Sequence, residues 1–166
     1  MRKTIYIFSI AVIIITACQT KPKTVPVDTE AAKVAVTTLL DKYQSAWNVK
    51  DANTLISLLT EDGLFCGTDP SEFMDKKQTS DGWTQAFADT SLKFDYSVDR
   101  REIRIAADGN SAIAVEQFYM KGYSQKIPLR LIFHVVKAGE NWMIDFISWS
   151  FIPKNEDIEK LNKAVE

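Results

Sequence analysis

The chain has 166 residues, 46% of them hydrophobic and 11% aromatic, which suits a single globular domain with a real core plus short extras. Its 20 basic and 22 acidic residues give a formal charge of -2, so nothing recommends nucleic acid as a partner. No internal repeat or low-complexity tract interrupts it.

The chain opens on a targeting pattern. Arg2 and Lys3 form a charged start, and Ile5 to Ala17 is a 13-residue apolar run, too short to span a bilayer comfortably and right for a signal peptide. Ile15-Thr16-Ala17-Cys18 resembles a bacterial lipobox, in which the cysteine is acylated and becomes the mature N-terminus. We therefore expect a lipoprotein signal peptide over 1–17 and a lipidated Cys18 leading a Lys-, Thr- and Pro-containing tether over 18–28. Without Arg2 and Lys3 the balance is 18 basic to 22 acidic residues, or -4, which argues further against polyanions. Gln19 rather than Asp after the cysteine is compatible with the periplasmic face of the outer membrane, so the expected location is the bacterial cell envelope, membrane-held through Cys18. With Cys18 lipidated, Cys66 has no disulfide partner and reads as a buried, inert thiol between apolar neighbours. No spacing suggests a zinc site, and no cofactor is expected.

Asp28 suits the N-cap of a helix starting at Thr29, and Val36, Leu39, Leu40, Tyr43, Ala46 and Trp47 fall on one stripe of it. Asp51 caps a second, shorter helix whose inner face is Leu55, Ile56, Leu58 and Leu59, with Gly63 placed to close it. Leu64 to Glu72 then reads as a strand stopping in a turn and re-entering a helical turn, which brings Asp69 and Glu72 together. These two read more simply as a cap and its reciprocal partner than as an acid and base. Ser80 and Asp81 can cap a third helix bearing Trp83, Ala86 and Phe87.

From Leu92 the period changes to two. Phe94, Tyr96 and Val98 alternate, Ile103 and Ile105 continue in the opposite phase, and a bulge is expected between Asp99 and Glu102. Asp108-Gly109-Asn110 turns this strand into a hairpin with Ala112 to Tyr123. Ile127 to Lys137 and Trp142 to Ile152 form a second hairpin, Pro153 stops it, and 154–166 holds a helix capped by Asn155 with Ile158, Leu161 and Val165 inward. Helices first and an antiparallel meander second give an α+β fold: a curved sheet forming a cone, about three N-terminal helices on its concave face, and a short C-terminal helix. The concave interior is the usual setting for an apolar pocket.

The order of these elements, with Tyr43-Gln44-Ser45-Ala46-Trp47 before Lys50-Asp51, Gly67-Thr68-Asp69-Pro70-Ser71-Glu72, Leu129-Arg130 and Trp142-Met143-Ile144 running to Ser150, resembles the SnoaL-like branch of the nuclear transport factor 2-like superfamily. The resemblance covers about 29–153. It implies the cone fold, usually dimeric through the outer sheet face, and a membership that includes polyketide cyclases, steroid isomerases, dehydratases and a kinase oligomerising domain. The sequence departs from the branch where two histidines often precede the final Ser, since Phe146 and Ser148 stand there, and where a Trp and a Gly often follow the Glu, since Phe73-Met74-Asp75 stand there.

On the strand over 127–137, Arg130, Ile132 and His134 share one face and Leu129, Leu131, Phe133 and Val135 the other. If the mixed face looks inward, Arg130 could hold a carboxylate or oxyanion, His134 could pass a proton, and Glu116 or Asp145 could neutralise Arg130 or act as base. The opposite phase stays open, since the terminal helix could cover part of the outer face; in either phase His134 could be a satisfied or partly exposed side chain and Arg130 a structural bridge to an acid. Tyr43, Trp47, Phe65, Trp83 and Phe146 read as core or, with Ser148, as pocket lining. Three readings stand: a non-catalytic binder of a small, partly apolar or acidic ligand; an isomerase, cyclase or dehydratase using His134 with Glu116 or Asp145; and an interaction or dimerisation module.

Overall fold

The computed structural model describes residues 28–165; the leader, Cys18 and the tether expected from the sequence lie outside the described residues. Three helices come first among them, α1 (Thr29–Asn48), α2 (Ala52–Ser57) and α3 (Lys76–Ala88), with strands β1 (Leu59–Cys66) and β2 (Phe73–Met74) between the last two. Strands β3 (Asp95–Ile105), β4 (Ser111–Lys121), β5 (Ser124–Ala138) and β6 (Asn141–Phe151) follow. A short 3-10 turn then leads into α4 (Ile158–Ala164). The sheet order is β2-β1-β6-β5-β4-β3, antiparallel throughout except where β1 runs parallel to β6. This is the expected α+β architecture, with one parallel pair that joins the helical and meander halves of the chain.

Asp28 opens α1 by accepting a hydrogen bond from the Ala31 N–H at 2.9 Å, and α1 buries Val36, Leu39, Leu40, Tyr43, Ala46 and Trp47, the stripe expected from spacing. Its last turn is pinned to the sheet: Gln44 and Asn48 donate to the Tyr96 carbonyl at 2.8 and 3.0 Å, and the Tyr96 N–H donates to Asn48 Oδ1 at 2.8 Å. Asp51 caps α2 through the Thr54 N–H at 2.9 Å. That helix ends sooner than its apolar run suggests, since Leu58 is its C-cap, Leu59 already lies in β1 and Ile56 is half-buried.

Gly63 therefore closes no helix. It lies inside β1, where a Cβ would come within 2.7 Å of the Asp145 carbonyl oxygen and 2.5 Å of Phe65 Cζ. Glycine is needed there for close approach of backbones, at a bulge in which β1 advances from Leu59 to Leu64 while β6 advances from Ile144 to Phe146. The segment after β1 is likewise a hairpin onto β2 rather than a helical turn, pairing Phe65 with Met74 and Cys66 with Phe73.

Helix α3 starts earlier than Ser80-Asp81 suggests. Asp75 and Gln78 form a reciprocal capping box, the Gln78 N–H donating to Asp75 Oδ1 at 2.7 Å and the Asp75 N–H to Gln78 Oε1 at 3.0 Å. The box outcompetes Ser80 because it satisfies two orphan donors at once. At the C-terminus, α4 buries no residue, and Ile158 and Val165 are exposed rather than inward; no side chain caps the 3-10 turn at Asn155.

In the sheet, the β3 bulge falls at Asp99, where pairing passes from Val98↔Phe118 to Arg100↔Gln117, as the phase change implies. Leu129, Leu131, Phe133 and Val135 of β5 are fully buried beneath the helices, Phe133 meeting Tyr43 edge-on at 5.2 Å between ring centroids. The apolar face of β5 is thus the inner face of the cone. Burying each such side chain contributes about 2 kcal/mol, more than enough to set the orientation of the strand.

Candidate functional site

Because α3 buries only Thr79 outright and leaves Trp83 and Phe87 half-buried, it stands off the sheet rather than sealing it. A cavity of about 290 Å³ opens beneath it. Trp47 of α1, Phe65 of β1, Trp83 of α3, Phe94 before β3, and Ile147 and Trp149 of β6 form its apolar walls. The rings brace one another: Trp47 meets Trp83, Phe94 and Trp149 at centroid separations of 5.7, 5.3 and 5.2 Å. Such tilted and edge-on packing fixes the walls before any ligand arrives.

Polar groups gather at the lip, where Cys66, Gly67, Thr68, Glu72 and Tyr123 line the cavity. The 67–72 turn is self-braced. Asp69 Oδ1 accepts from the Ser71 N–H at 2.8 Å and the Ser71 hydroxyl at 2.5 Å, and Glu72 Oε2 accepts from the Asp69 N–H at 2.9 Å. The Ser71 hydroxyl and N–H hold the Asp69 carboxyl below the usual carboxylate range. A Cβ at Gly67 would displace the Glu72 carboxylate, which is folded over it. Thr68 and Tyr123 hydroxyls lie 3.1 Å apart, linking this turn to the β4–β5 turn. Cys66 is half-buried with a free thiol that burial pushes up, so it is a lip residue and not the fully buried side chain expected.

Beneath the floor lies a second constellation. Glu116 is 1% exposed on the inner face of β4, hydrogen-bonded by the Tyr96 hydroxyl and by Arg101 Nε at 2.5 Å, while Arg101 Nη1 reaches Asp41 Oδ1 at 2.6 Å. Burial raises the Glu116 carboxyl, against the pull of Tyr96 and Arg101. Burial likewise raises the Tyr96 hydroxyl, with the Glu116 charge adding to it. Glu116 is not among the residues lining the cavity, and both its oxygens are engaged. Tyr43 is also fully buried under the cavity, its hydroxyl without a hydrogen-bond partner and raised by burial.

Arg130, His134, Asp145, Phe146 and Ser148 stand on the other side of the sheet. Arg130 is exposed and donates to Gln117 Oε1 at 3.2 Å; Ile132 beside it is 38% exposed. Asp145 occupies a β6 bulge opposite the His134/Val135 step, with its Oδ1 2.7 Å from His134 Nδ1. Phe146 pairs with His134 and Ser148 with Ile132, on the outer face. The mixed face of β5 does not look inward, so Arg130 cannot read an acidic group inside the cone, and His134 is separated from Glu116 by the sheet itself. Of the residues the sequence singles out for a pocket, the structure brings together Trp47, Phe65 and Trp83; Glu72, expected only as a capping partner in the turn, borders the cavity as well, and Phe94, Trp149, Thr68 and Tyr123 join them unforeseen. Trp149 was findable, because it alternates with Ile147 on the inner face. No group of His, Cys, Asp and Glu among the described residues is arranged to hold a metal ion.

The pattern of the SnoaL-like domain matches residues 36–154. The chain belongs to the SnoaL-like domain family. Solved structures agree on the fold of this SnoaL-like chain. An NTF2-like protein of unknown function from Pseudomonas putida is 17% identical with a TM-score of 0.68, covering 76% of this chain and 91% of that one. An NTF2-like protein from Cytophaga hutchinsonii is 17% identical with a TM-score of 0.61 over 72% of this chain and 98% of that one. A ketosteroid isomerase-like protein from Erwinia carotovora atroseptica is 16% identical with a TM-score of 0.54 over 73% and 96%. At such identities the likeness is one of fold. No curated protein matches the chain.

Proposed function

We propose that this SnoaL-like domain binds a small, flat, largely apolar molecule in the cavity under α3, without transforming it. The observation that carries this is the make-up of the cavity: aromatic walls braced against one another, a single carboxylate among the described residues, Glu72, at the lip with one oxygen holding its own turn, and Glu116 outside the lining with both oxygens engaged. A general acid or base must reach the reacting atom within hydrogen-bond distance, and neither Glu116 nor the His134–Asp145 pair borders this space. The lipobox-like Cys18 supports a second part of the reading, a domain tethered to the cell envelope by lipid. Exposed Ile113 and Ile132 on the outer face of β4 and β5 favour pairing of two copies there.

Native mass spectrometry of the purified protein tests the binding reading. The expected result is a co-purified small molecule that is lost in Trp83→Ala and retained in His134→Ala. An empty wild-type protein that also shows no tryptophan quenching by naphthalene overturns it.

A further inference from the structure

Resting on that reading of the cavity, we infer that the ligand carries a positive charge: the cavity is built for a small organic cation, an amine or quaternary ammonium on an apolar body. Glu72 is the one carboxylate among the described residues that line the cavity, and no lysine, arginine or histidine lines it. Its Oε2 is occupied by the Asp69 N–H at 2.9 Å, and Glu72 takes part in none of the ion pairs among the described residues. The half-buried carboxylate at the lip is thus, among the described residues, the one side-chain charge bordering the aromatic space, and it favours an opposite charge in a ligand and repels a like one.

The walls add to the same preference. Indole rings attract cations more strongly than any other side-chain ring, and the half-buried Trp83 and Trp149 line the space on either side of Trp47, which is itself buried against their rings at centroid separations of 5.7 and 5.2 Å. Phe94 contributes less to this preference, because Lys50 Nζ already stands 5.8 Å from its centroid, held there by the Asp89 carbonyl at 2.6 Å. An acidic ligand, by contrast, meets no cationic side chain in the lining.

Three probes of nearly one shape separate the charge from the apolar body: benzyltrimethylammonium, neutral neopentylbenzene and anionic benzylsulfonate, each titrated into the full-length protein with tryptophan fluorescence as readout. The cation is expected to bind on the order of tenfold tighter than the neutral probe, with the anion weakest. Glu72→Gln keeps an acceptor for the Asp69 N–H and removes the charge, so the ratio of cation to neopentylbenzene affinity, both measured on the same variant, should fall most of the way to one. Equal affinity for cation and neutral probe, or anion binding as tight as either, overturns the inference while the apolar cavity stands. A cation preference that survives intact in Glu72→Gln overturns the assignment to Glu72. Failure of all three probes overturns the cavity reading itself.

Discussion

The two faces of strands β5 and β6 make opposite use of their residues. Inward, Leu129, Leu131, Phe133, Val135, Ile144 and Ile147 are buried and carry no ionisable group. Outward stand Arg130, His134, Asp145 and Ser148, the residue types that chemistry usually needs, yet they face away from the cavity. A residue of catalytic type on a strand is worth only what its face gives it. The cavity borrows its polarity instead from a turn, and the one buried carboxylate of the sheet, Glu116, is consumed by Tyr96 and Arg101.

Substitutions should separate the two faces. The largest effect belongs to the inner network: Arg101→Ala leaves Glu116 buried without its guanidinium and should cost about 3 kcal/mol near neutral pH, measured by urea unfolding. Since burial already raises Glu116, its protonated form is favoured in the folded state; that contribution is present at low pH and lost as pH rises through the raised value. The Arg101→Ala deficit should accordingly shrink on acidification. A deficit that grows on acidification would contradict the placement of the charge.

An intermediate effect, of opposite sign, is expected at Tyr43. Removing its buried, unpartnered hydroxyl in Tyr43→Phe should raise stability by about 1 kcal/mol. Folded Tyr43 and Tyr96 both resist ionisation, so wild-type stability should fall as pH rises above the ordinary tyrosine value of 10.0, and Tyr43→Phe should soften that fall in thermal melts. The outer face gives the smallest change: His134→Ala breaks a half-exposed contact and should shift stability by less than about 1 kcal/mol. A loss as large as that at Arg101 would mean the two faces are not so different.

Local chemistry made much of this fold legible in the sequence. The α1 stripe, the Asp28 and Asp51 caps and the β3 bulge all follow from spacing and side-chain hydrogen bonding. The Asp75-x-x-Gln78 box was equally visible and was masked by a second capping pair at Ser80-Asp81. Gly63 misleads because a helix-closing glycine and a strand glycine at a close approach look alike until the partner, here the Asp145 carbonyl, is known. The site was less legible for the same reason. Arg101 could be matched to Glu116 by counting outward from the Asp108–Asn110 turn, which sets them opposite each other. The cavity itself depends on how far α3 stands from the sheet, a property of tertiary packing with no local signature.

The most direct test of the central claim, that binding belongs to the aromatic space under α3 and not to the charged residues of β5, is one titration on two variants. Naphthalene quenching of tryptophan fluorescence should be lost in Trp83→Ala, whose indole forms a cavity wall, and unchanged in Arg130→Ala, whose guanidinium lies on the outer face. Loss of binding in Arg130→Ala with retention in Trp83→Ala would contradict the account.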